Sequence, residues 1–263
     1  MRTTSFCLVF MLSGSVASAQ RSVMIEDLTT TEVHAAIAGG KTTAFLYVGG
    51  AHENQYSSDE AGEDAVAIGK HNIVANYVAR RVAEELGNAL AVALPLAPNG
   101  DAIKKTGHMR FAGTVSLTEG TFASVCRDVA VSLIAAGFKH VVLAGVHGGG
   151  QAVMKKVADE LDSEWSSKGV RVFFFPVYAE AKKEMNQHLT KMHVAENRHT
   201  RVEDAAEVIS LDQQNEWVRK ERLSPDLAKV VSPQLGKILI DQKINLAVKY
   251  IRSHVANLPG QKR

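Results

Sequence analysis

Cysteine is almost missing from this chain of 263 residues: there are two, Cys7 and Cys126. Cys7 falls in a segment that reads as a removable leader, so the remainder can form no internal disulfide and must be stable through packing. Long apolar runs are also missing. The clearest, residues 6–12 (FCLVFML), is far short of the roughly 20 residues that span a bilayer. Nor is one sign of charge in surplus: 30 Lys and Arg face 28 Asp and Glu, for a formal net charge of +2. With no basic stripe interleaved with aromatics, neither nucleic acid nor a membrane is an expected partner.

What is present begins with Arg2, the apolar core at 6–12 and Ala17-Ser18-Ala19 before Gln20. This order predicts a secretory signal peptide, residues 1–19, cleaved after Ala19, and hence a secreted protein of the bacterial periplasm. Residues 20–263 are long enough for a full core and fit a single α/β domain.

Apolar spacing predicts helices over 25–37, 68–86, from Thr118 or Thr121 to Gly137, 151–165, around 203–211, and 235–255. Short β-rich runs at 42–48, 90–96, 141–144 and 170–175 predict strands, and 114–117 a short extended piece. Strands alternating with helices imply βαβ units, a mostly parallel sheet and helices on both faces, a layered α/β/α class. Ligands in such sheets collect at the carboxyl ends of the strands. The loops there carry His52, His71, His108 and His147.

Histidine suits both metal binding and proton transfer near neutral pH. A catalytic zinc site has three protein ligands and an open position for water, a count that His52, His71 and His147 meet. His147 sits in AGVHGGGQAV, where the glycines also have a simple conformational explanation. The segment lacks both a dinucleotide-binding glycine register and the Lys-Ser/Thr of a P-loop.

Five segments, in order, resemble the creatininase (creatinine amidohydrolase) family. Val48-Gly49-Gly50 and the stretch after it resemble the family's VGSTEQHG, and AIGKHNIVANYVARRVAEELG (67–87) its PLGTDTIIAEAVAEEVAEELG. GHMRFAGTVSLTEGTF (107–122) is similar to EHLGFPGTISLSPETF, GFKHVVLAGVHGGGQAV (137–153) to GFRRIVIVNGHGGNVAA, and HTRVEDAAEVISLD (199–212) to HAGEIETSLMLALD. The resemblance implies a layered α/β fold, a homo-oligomer that is often a hexamer, and hydrolysis of cyclic or linear amide C–N bonds with one or two divalent metals.

The ligand positions differ from the family pattern. The family's first-loop Glu falls on His52, with Glu53 beside it, and because residues 57–64 are inserted the two assignments can exchange. The family Asp falls on His71, its Gly-His-Gly histidine on His147, a downstream Glu on Asp204 and a catalytic-side His on His199. A bridging carboxylate is what offsets the repulsion between two close cations, and histidine cannot supply it. One divalent ion is therefore expected, zinc first with manganese or iron as alternatives, on His52, His71 and His147 with Asp204 or Glu53 as a possible fourth ligand. Asp204 or Glu53 would take the proton of an activated water, His199 would protonate the leaving nitrogen, and His108 would orient a small-molecule substrate or stabilise the oxyanion. Residues near Tyr178 are expected at the substrate pocket. Two other readings stay open: a lactone hydrolase or hydratase on the same three histidines, and a non-catalytic periplasmic binding protein.

Overall fold

A computed structural model describes residues 22–52 and 65–255. The expected leader and Glu53 lie outside the described residues. In chain order the elements are α1 (Thr30–Ala38), β1 (Thr43–Val48), α2 (Lys70–Leu86), β2 (Ala89–Leu94), α3 (Glu119–Ala136), β3 (His140–Gly145), α4 (Gln151–Trp165), β4 (Arg171–Phe174), α5 (Val177–Lys191), α6 (His199–Leu211), α7 (Pro225–Val230) and α8 (Pro233–Val255).

The four strands form one sheet in the order β2-β1-β3-β4, and every pairing is parallel. Both central strands are buried along their whole length, as expected for a sheet covered on two faces. Strand periodicity divides the core. Phe45 and Tyr47 of β1 point to the side covered by α2, α6 and α8, whereas Ala44, Leu46 and Val48 point to the side covered by α1, α3 and α4. The layered class expected from the sequence is the one observed.

Local chemistry sets the element ends. The helix expected over 25–37 is split: Ile25–Asp27 is a 3-10 turn, Leu28 is extended, and a capping box between Thr29 and Glu32 starts α1 afresh. β2 stops at Leu94 because Pro95 has no N–H for a further ladder bond. The extended piece at 114–117 is reduced to an antiparallel bridge between Val115 and Ala51. α6 begins at His199 rather than near 203, and α8 at Pro233, which suits the first helical position.

α5 and α7 are not foreshadowed by the apolar spacing. α5 buries only Val177, Ala181, Met185 and Leu189, a stripe one residue wide. α7 is a short helix capped by Ser224 with Pro225 in its first turn. The two join α6 and α8 in a smaller apolar cluster beside the sheet.

Candidate metal centre at the carboxyl end of the sheet

Strand order places the site. From β1 the chain turns to β2 on one side, while β3 leads to β4 on the other, so the loops after β1 and β3 diverge and leave a crevice between them. His52 follows β1, His147 follows β3, and His71 stands in the first turn of α2.

The β1 loop is tied down on several sides. The Gly50 amide donates to Asn72 Oδ1 at 2.8 Å and the His52 amide to the Ile68 carbonyl at 3.2 Å. The β3 turn is fixed by Gln151, whose side-chain amide donates to the His147 carbonyl at 2.5 Å and to the Gly145 carbonyl at 3.3 Å. Its glycines do more than relax the backbone. Gly150 has φ +81, and a Cβ on Gly149 would lie 2.0 Å from the Pro98 carbonyl oxygen and 2.6 Å from the His147 ring.

The result is a cluster in which His52, His71 and His147 each offer a ligand atom, all within 4.8 Å of one another. Their ring centroids are 4.8 Å apart for His52 to His71 and for His52 to His147, and 5.3 Å for His71 to His147. Zinc–nitrogen bonds of about 2.0–2.1 Å in a tetrahedron imply nitrogens roughly 3.4 Å apart, so a zinc ion held there would need the rings to move inward. Charge favours the fit. Burial, then Lys70 and the other two imidazoles, hold His71 well below the usual histidine range. Burial also pushes His147 down to about 4, with help from His108 and Lys70. These two rings are neutral at pH 7, as ligands must be. The Gly149 N–H donates to His147 Nδ1 at 3.0 Å, so an ion taking that lone pair displaces this bond.

A cavity of about 200 Å³ opens over the cluster, lined by the three histidines and also by His108, Asn99, Tyr178, Glu203 and Asp204. His108 stacks on His52 with centroids 3.9 Å apart. Asp204, on α6, is buried, and removal from water pushes its carboxyl up to about 6; Lys70 opposes this and Glu203 adds to it. Farther in, Lys243 of α8 donates to Glu203 at 2.7 Å and also to Glu207. Burial pushes Glu207 up to about 8 even with Lys243 beside it.

His199 is placed differently from expectation. Its ring is buried between Asn186 Oδ1 and the Val194 carbonyl, each 3.0 Å from a ring nitrogen, and it is not among the residues lining the cavity. Both nitrogens are occupied in joining α6 to α5 and the turn after it, which suits a fastening role better than proton donation. Cys126 is a buried core residue whose thiol burial pushes up to about 12, which removes it as a nucleophile.

Sequence reasoning missed Lys70, Lys243, Glu203 and Asn99. Lys70 carried a readable signal, since a cation in the first turn of a helix opposes the helix dipole. Asn99 carried none beyond its Pro-Asn-Gly turn. Its Nδ2 donates to the Val115 carbonyl at 2.6 Å and the Ala51 carbonyl at 3.4 Å, which fixes the amide's orientation. Its Oδ1 is buried and has no hydrogen-bond partner among the described residues.

The family described as Creatininase, creatinine amidohydrolase, matches residues 26–242. No curated protein matches the chain. Among solved structures, it is similar to a glutamate-to-glutamine mutant creatininase of "Zn-Zn type" (TM-score 0.71, 19% identity, covering 89% of this chain and 98% of the other). It is also similar to such a mutant complexed with creatine (0.70, 20%, 89% and 99%) and to a manganese creatininase (0.69, 19%, 89% and 99%). At these identities the likeness is one of fold, while the family match extends over most of the sequence. The chain is therefore a divergent member of the creatininase family.

Proposed function

We propose that this protein is a metal-dependent hydrolase that opens the C–N bond of a small cyclic or linear amide, with one divalent ion, zinc first, on His52, His71 and His147. The observation that carries this reading is the convergence of three imidazoles with a buried carboxylate, Asp204, in one cavity at the crevice between β1 and β3. A divalent ion bound there would supply Lewis acidity and a water of lowered pKa.

The chain's own residues supply the rest. With its pKa raised to about 6, Asp204 is still mostly a carboxylate at pH 7 yet basic enough to take a proton from water. Having taken it, the same carboxyl can return it to the leaving nitrogen, which removes the need for His199 as donor. The orphan Oδ1 of Asn99 is an acceptor for a substrate N–H, and its burial makes an unmatched ligand costly. His108, stacked on His52 at the cavity wall, orients the substrate. The small cavity suits a compact substrate. Export to the periplasm and assembly into a homo-oligomer remain part of the proposal, checked by N-terminal sequencing of the exported protein and by light scattering.

The test is metal analysis of the purified protein followed by a panel of cyclic amides, linear amides and lactones. Bound divalent metal with amide turnover supports the reading. Metal with lactone turnover alone supports the ester-opening alternative, and absence of stoichiometric metal the binding-protein one.

A further inference from the structure

We propose that the Lys70 ammonium occupies the place of a second metal ion, making this a one-metal centre with a built-in cation. The inference rests on the proposed metal site and concerns how many ions the centre takes.

Lys70 is the first residue of α2 and is 1% exposed. Its Nζ donates to the His52 carbonyl oxygen at 2.9 Å, lies 3.4 Å from His52 Nδ1 and pairs with Asp204 Oδ2 at 3.7 Å. A carbonyl oxygen and a carboxylate oxygen are donor types a divalent cation takes, and these two hold the lysine without drawing on the lone pair that His52 offers the zinc. Here they surround a charge that is part of the chain.

The position is unfavourable on general grounds. Burying a charge is costly even when it is paired, and the amides of a helix N-terminus add positive potential where Lys70 starts α2. A lysine needed only for packing has less demanding places. This one touches His52, a member of the three-histidine cluster, and Asp204, the carboxylate facing the same cavity. A second divalent ion would need a carboxylate to offset repulsion between cations, and of the two that line the cavity among the described residues, Asp204 serves Lys70 and Glu203 serves Lys243.

The geometry gives the lysine a defined role. Its ammonium keeps Asp204 from becoming a bridging ligand and holds it as a proton acceptor beside the single ion. Lys70 is accordingly a positioning residue that sets the number of metals.

The test counts zinc bound by the metal-free full chain, by titration at pH 7.5 with elemental analysis. Wild type is expected to saturate at one equivalent, Lys70→Ala at two, and Lys70→Arg, which keeps the charge, at one. Two equivalents on wild type or on Lys70→Arg overturn the proposal, and so does one on a folded Lys70→Ala. No zinc on wild type would overturn the metal reading itself. If Lys70→Ala does not fold, cobalt-loaded wild type decides: an uncoupled single-ion paramagnetic resonance signal is expected, and a spin-coupled pair contradicts the proposal.

Discussion

His147 is held by its neighbours before any ligand arrives, through the Gly149 amide on Nδ1 and Gln151 on its carbonyl. Replacing it with alanine removes one of the three proposed ligands, so metal affinity should fall by about 100-fold or more, read by competition with a chromophoric chelator. Asp204→Asn keeps shape and removes the proposed base. It should retain metal and lose about 10² to 10⁴ in kcat, and metal loss instead would make Asp204 a ligand rather than a base. Asn99→Ala should raise KM with a smaller effect on kcat. The three histidines could be picked out from their positions after strand-like runs, because strand ends are where such a fold puts its site. Asn99 could not, since its role comes from burial and from its partners Val115 and Ala51, distant in sequence, and Lys70 showed only as a cation misplaced in the first turn of α2, with no hint of its partners His52 and Asp204. A histidine opening an acidic helix has the chemistry of a proton donor, but the sequence could not show that the ring of His199 lies between Asn186 Oδ1 and the Val194 carbonyl.

Packing between elements is tightest where α8 crosses α6. A Cβ on Gly236 would lie 1.8 Å from the Ala206 carbonyl oxygen, so Gly236→Ala must separate the helices that carry Lys243 and its partners Glu203 and Glu207. The expected cost is about 3 kcal/mol, seen as a lower denaturation midpoint at unchanged slope. Elements with broad apolar stripes or continuous apolar runs were legible: β1, α4 and the long α8 fall within a residue or two of their expected bounds. α5 was not, because its single row at intervals of four offers little periodic signal against a polar background. Its position matters, because α5 puts Tyr178 on the cavity wall and Asn186 against His199.

For the folded chain taken together, burying neutral histidines makes the metal-free protein sensitive to acid. The pKa of His147 is depressed, so its contribution to stability is present above its unfolded value near 6.5 and is lost as pH falls through about 4. The shift corresponds to about 3 kcal/mol. Asp204 and Glu207 act in the opposite sense, since their raised values give a contribution present at low pH and lost as pH rises through about 6 and about 8. Subtracting a His147→Gln variant isolates the histidine: the stability difference between the two should shrink by about 3 kcal/mol from pH 7 to pH 4, and a constant difference would contradict the assignment. Whether one divalent ion sits on three imidazoles is decided by zinc-edge X-ray absorption on the zinc-loaded chain. Three imidazole nitrogens at about 2.0–2.1 Å, with their multiple-scattering signature, are expected; a shell of oxygens alone, or one containing sulfur, would contradict this centre.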